Sequence, residues 1–202
     1  MKKIYNQDSH LLHINRENCE DKYLNDLLLA LANVDSKYLL WPYGGVAEQM
    51  CERVFAYELY HQWRIVSEIF QYDNLIINGE IRKDGSVYRR DINIVYPDLV
   101  LHEQQNNLNQ QILACEIKTV IAVKNSKEDL KKDLIKLDKY IDVLEYHKSV
   151  FVQIIDDPDI FERNILFLKD HRDEINNLSR IYYVIKDYDH ISFDTLENLL
   201  AE

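Results

Sequence analysis

Glycine and proline are scarce in this chain, with four glycines and three prolines among 202 residues. That scarcity leaves no low-complexity or linker-like tract, and no internal repeat is visible. No apolar run approaches the roughly 18 residues a membrane span requires. The N-terminus, Met1-Lys2-Lys3-Ile4-Tyr5-Asn6, is basic but lacks the apolar core of a signal peptide. Cysteine is limited to Cys19, Cys51 and Cys115, odd in number and without zinc-ligand spacing. They read as reduced, mostly buried thiols, and together with the N-terminus they predict a cytoplasmic protein. A Gly-rich phosphate loop, a Ser-His-Asp signature, a Cys-x-x-Cys pair and a His-Glu-x-x-His motif are all missing. Enzymatic chemistry is thereby narrowed to a metal-carboxylate site or none. Positive charge is also short: 24 Lys and Arg face 35 Asp and Glu, a net charge of −11. That balance argues against extensive contact with phosphates, although a local groove can be basic on an acidic protein.

What the chain does have is 47% hydrophobic residues, enough at this length to bury a substantial core in one mixed α/β domain. Residues 1–20 are polar and predict a loosely ordered segment. A helix is expected over 21–34, where Tyr23, Leu24, Leu27, Leu28 and Leu31 recur on one face. Trp41-Pro42-Tyr43-Gly44-Gly45 breaks that run, and a long helix follows over about 46–70. Strands are expected at 75–81, 93–101 and 112–120, with Asp84-Gly85 supplying a turn between the first two. A helix over 126–146, capped by Ser126, leads to an apolar strand at 150–155. Asp157-Pro158 starts a helix to about residue 176, then come a strand at 180–185 and a short helix at 195–202.

Two of these strands carry the chemistry. The first holds Tyr96-Pro97-Asp98-Leu99-Val100-Leu101, the second Leu113-Ala114-Cys115-Glu116-Ile117-Lys118-Thr119. Side chains alternate along a strand, so Glu116 and Lys118 point one way and Ile117 the other. The short polar connection from His102 to Gln110 lets the strands pair as a hairpin and brings Asp98 near Glu116. An acid among Val95, Leu99, Val100 and Leu101 is costly unless paired or metal-bound. Two carboxylates beside one ammonium make a ready site for a divalent metal and an activated water. A buried Glu–Lys ion pair is the plainer explanation of Glu116 and Lys118, and a strand-end aspartate that of Asp98.

Pro97-Asp98 followed by Glu116-Ile117-Lys118 resembles the PD-(D/E)xK nuclease superfamily. The order of elements over about 44–156 is similar to that family's α-β-β-β-α-β core. The resemblance implies a restriction-endonuclease-like fold, a central mixed sheet flanked by helices. Residues 1–43 would be a helical N-terminal extension of the single 1–202 domain, and 157–202 a helix-strand extension after the core. It implies a nuclease using Mg²⁺ or Mn²⁺, held by Asp98, Glu116 and the backbone carbonyl of Ile117, with Lys118 positioning the attacking water. Nucleic acid would be the partner, DNA ahead of RNA, with a homodimer or a partner protein compatible with paired cutting. A catalytically silent nuclease-fold protein with an interaction or regulatory role is the alternative.

The resemblance also implies a metal-linked glutamate on the first long helix. Glu58 has Cys51, Val54, Phe55, His61, Gln62 and Ile65 as helical neighbours, which predicts that Glu58 and Gln62 lie on the sheet-packing face. Glu52 falls at the edge of that face, and the two glutamates rank equally. Glu48 ranks third, because a helix N-terminus explains it. Glu80 could join the rim, and His61 could lie behind the ligands or be purely structural. On the next helix Asp133, Lys136 and Tyr140 can share a face over the site, although a solvated helix with paired charges is the plainer and better explanation.

Overall fold

The strands with the most continuous apolar sequence form the centre of one sheet. The computed structural model describes residues 2–5, 21–39, 51–79, 97–103, 110–119, 127–155, 158–187 and 190–201, with backbone alone for 2–5. In chain order the elements are β1 (Lys2–Tyr5), α1 (Lys22–Asn33), α2 (Glu52–Ile69), β2 (Leu75–Gly79), β3 (Leu99–Glu103) and β4 (Gln111–Thr119). There follow α3 (Lys127–Leu144), β5 (Lys148–Ile154), α4 (Pro158–Lys169), β6 (Ile181–Lys186), β7 (His190–Thr195) and α5 (Leu196–Ala201). The strands make a mixed sheet in the order β1-β7-β6-β5-β4-β3-β2, flanked by helices.

β4, β5 and β6 run parallel, and the pairs on either side of them are antiparallel. Parallel neighbours need a crossover, which α3 and α4 supply. Residues 149–154 of β5 are all buried, as expected of a strand covered on both faces. α3 turns Leu130, Leu134, Leu137 and Ile141 inward at helical spacing. Each such burial is worth roughly 1.5–3 kcal/mol. α1 begins where expected because Asp21 caps it, accepting the Tyr23 and Leu24 N–H groups at 3.0 and 3.1 Å. The same carboxylate pairs with Lys148 Nζ at 2.7 Å, tying α1 to the start of β5.

Several boundaries differ from expectation. Residues 2–5 are an edge strand, with Ile4 opposite Ile191, where a loose segment was predicted. Its partner β7 was unanticipated, although Ile191 and Phe193 alternate with polar residues at period two. α2 starts at Glu52, because Cys51 is extended at φ −107° and ψ 101°; residues 46–50 of the expected helix lie outside the described residues. Cys51 is also exposed, against the expectation of buried thiols, whereas Cys115 is buried. The helix predicted to reach residue 176 ends at Lys169 and gives way to a 3-10 turn, Arg172–Glu174. Cys19, Ser126 and the turn at 82–86 lie outside the described residues. Among the described residues no helix is long and apolar enough to cross a membrane.

The early end of α4 has an identifiable cause. Buried Asp138 on α3 collects the chain just before β6: Oδ1 accepts Asn177 N and Nδ2, both at 2.8 Å. Oδ2 accepts Asn176 N at 3.3 Å and Nδ2 at 3.2 Å. Removing the carboxylate takes the acceptor from four donors, of which Asn177 Nδ2 keeps Asp142 Oδ1 at 2.8 Å, and bonds to a charged acceptor are worth about 1.5–3 kcal/mol each at best. Asp138→Ala is therefore expected to lose about 3 kcal/mol in urea unfolding. A loss below about 0.5 kcal/mol would mean that the turn forms without this clamp.

Candidate functional site

The site is built on the β3–β4 hairpin. Leu99 lies opposite Cys115, so Asp98, one residue earlier, falls beside Glu116 and Ile117. Its Oδ2 accepts the Ile117 N–H at 2.7 Å, standing in for a backbone acceptor where the ladder stops. Glu116 is 1% exposed, and its Oε1 accepts Lys136 Nζ at 2.7 Å and Tyr140 OH at 3.0 Å. Two residues along the same face, Lys118 Nζ lies 3.7 Å from Glu52 Oε1 and 3.8 Å from Asp133 Oδ2. Glu52, in the first turn of α2, also accepts the Thr119 N–H. α3 covers the site because Asp133, Lys136 and Tyr140, spaced three and four apart, form one stripe beside its leucine stripe.

Four carboxyl groups (Asp98, Glu116, Glu52, Asp133) thus face two ammonium groups (Lys118, Lys136), a formal excess of two negative charges. The titration behaviour shows where that excess falls. Burial first, and then the Asp98 charge, push the Glu116 carboxyl up to about 8 against the pull of Lys136. Burial likewise raises Glu52 and Asp133, with Lys118 opposing in each case. For Lys118 burial pulls downward, but Asp133, Glu52, Asp98 and Glu116 outweigh it and hold the ammonium above its ordinary value. The Tyr140 hydroxyl is raised by burial and by Glu116, so it remains a donor. Burial, Asp98 and Glu116 hold the Cys115 thiol well above its ordinary range, where it is no nucleophile.

Asp98, Glu116, Ile117, Lys118 and Glu52 therefore come together, and Glu58 does not join them. The buried stripe of α2 is Phe55, Leu59, Trp63 and Val66. Cys51 and Ile65, two of the neighbours that suggested a buried Glu58, are exposed. Glu58 instead accepts Gln62 Nε2 at 2.7 Å on its own helix. His61 is exposed on the same helix. Glu48 and Glu80 lie outside the described residues. The structure sets Lys136 and Tyr140 on Glu116 Oε1; the sequence placed them, with Asp133, on one helical face that could lie over the site. Their contact with Glu116 has one signal there, a lysine and a tyrosine four apart flanking a buried leucine.

The donors present are carboxylate and carbonyl oxygens with surplus negative charge, which in chemistry fit a hard divalent cation. Among the described residues no three His, Cys, Asp or Glu side chains are gathered around a common point as ligands, and Lys136 occupies one oxygen of Glu116.

The raised Glu116 carboxyl has a consequence for stability. It titrates near 4.5 ordinarily and near 8 in the fold, so between those values the folded chain holds the extra proton. Stability must then fall as pH rises through that window. Metal-free protein should lose on the order of 3 kcal/mol relative to Glu116→Gln between pH 5 and 9, measured by denaturant unfolding in EDTA. Parallel curves for the two proteins would show that Lys136 keeps Glu116 ionised throughout. No family model, curated protein or solved structure matches the chain.

Proposed function

We propose that this chain is a divalent-metal-dependent phosphodiesterase acting on nucleic acid, DNA ahead of RNA, with a PD-(D/E)xK nuclease core. The observation that carries this reading is the hairpin geometry. Asp98 is pinned to the Ile117 N–H, Glu116 is next in the strand, and Lys118 stands two residues on, on the Glu116 face. Asp98, Glu116 and the Ile117 carbonyl would hold Mg²⁺ or Mn²⁺, with Glu52, one of the two equally ranked α2 glutamates, joining them in place of Glu58. The ion, when bound, would supply positive charge to the phosphoryl oxygens and lower the pKa of a water. Lys118, kept protonated by Glu52 and Asp133, would orient that water and offset charge developing on the phosphate. Tyr140 would set the rotamer of Glu116, and Asp133 that of Lys118, while Lys136 would leave Glu116 Oε1 to the ion.

One observation favours the alternative, a nuclease-fold protein without turnover. Lys136 Nζ already lies 2.7 Å from Glu116 Oε1 and competes with any metal for that oxygen. The acidic net charge of −11 points the same way, unless a partner protein or second copy supplies basic surface.

The test is cleavage of single-stranded, duplex and branched DNA and of RNA in Mg²⁺ or Mn²⁺ at low salt. The expected result is cleavage that EDTA abolishes and that Lys118→Ala lowers about 10²–10³-fold, the usual effect of deleting one electrostatic stabiliser. Failure to cut any substrate would transfer the weight to the silent, regulatory alternative.

A further inference from the structure

A cleft of about 450 Å³ opens directly onto Asp98 and Glu52. It lies within the range of roughly 300–1,000 Å³ that small-molecule groups occupy in proteins. One wall is a single stripe of α2, formed by Arg53, Ala56, Tyr57 and Tyr60 at spacings of three, four and seven. This stripe is separate from the Phe55-Leu59-Trp63-Val66 stripe that packs in the core. Across from it stand Asn78, Gly79 and Leu99.

The features of this cleft suit a flat aromatic ligand. Tyr57 is 63% exposed, a large ring that the fold leaves uncovered. The Tyr60 ring is held by Arg64, whose Nη1 donates to its hydroxyl at 3.3 Å and whose guanidinium lies 6.0 Å from the ring centre. Asn78 is fixed by a 2.9 Å contact between its Nδ2 and His102 Nε2. Gly79 brings β2 close to Asp98: a Cβ there would lie 3.3 Å from the Asp98 carbonyl oxygen. Arg53 adds a guanidinium, a favoured partner for phosphate.

We propose that this cleft holds one unpaired base of a single-stranded nucleic-acid segment, stacked on Tyr57, with the strand passing toward Asp98. The inference rests on the phosphodiesterase reading and names its substrate class. Charge argues for a single strand over a duplex. Gripping a duplex needs many phosphate contacts, whereas a stacked base contributes about 1–3 kcal/mol of affinity without any. A chain of net charge −11 is better suited to the second route.

The experiment measures fluorescence anisotropy of a short labelled DNA strand, its duplex, and a series carrying one abasic site, in Ca²⁺ at low salt. Cleavage in Mg²⁺ is followed alongside. Wild type should bind the strand more tightly than the duplex. Tyr57→Ala should weaken the strand about tenfold with an unchanged melting temperature, and Tyr57→Phe should restore it. One abasic position should reproduce the loss in wild type and add nothing in Tyr57→Ala. If DNA is bound or cut but neither Tyr57→Ala nor any abasic site matters, the base site is refuted while the phosphodiesterase reading stands. If no nucleic acid is bound or cut, the parent reading falls and takes this inference with it.

Discussion

A carboxylate carried inside a sheet has to be answered by its surroundings, and Glu116 sets that requirement for this fold. It sits in the middle of β4, 1% exposed, with the apolar residues Leu113, Ala114, Cys115 and Ile117 around it in the strand. α3 answers it with Lys136 and Tyr140, so the helix that crosses from β4 to β5 is also the lid over the carboxylate. Asp98 then adds a second negative charge beside it, held there because its carboxylate completes the ladder at Ile117. Burying one unpaired charge costs several kcal/mol, and two adjacent acids cost more. The fold keeps both, together with Glu52 and Asp133, against two lysines. That surplus can be relieved by a proton, which Glu116 holds up to about pH 8, or by a cation such as the one proposed above.

Most of the sheet was legible because its strands are long apolar runs and its helices carry leucines at helical spacing. The hairpin and the approach of Asp98 to Glu116 followed from the short polar connection between the two strands, and the shared face of Glu116 and Lys118 from side-chain alternation. What sequence left undecided was the glutamate on α2. Helical neighbours of Glu58 are apolar in type, yet Cys51 and Ile65 turn outward, since residue type does not report which apolar stripe the fold chooses to bury. Similarly, Asp138 reads as one more acid on a charged helix. Its role emerges only when Asn176 and Asn177, nearly forty residues on, arrive to donate to it. Long-range pairing also hid β1 and β7, which are short, half-polar strands that make sense only together.

Site and cleft share one logic. Helix α2 places Glu52 beside Lys118 at its first turn and carries the Tyr57-Tyr60 stripe onward along the same flank. Under the proposed reading, an aromatic stripe next to a charge-rich centre would let an acidic chain approach an acidic polymer with few phosphate contacts.

The surplus charge around Glu116 is tested most directly by anomalous diffraction from crystals soaked in Mn²⁺. The expected result is a Mn²⁺ peak on the Asp98 and Glu116 carboxylates, with Lys136 displaced from Glu116 Oε1. A map without a peak there, and with Lys136 still bonded to Glu116, would contradict it.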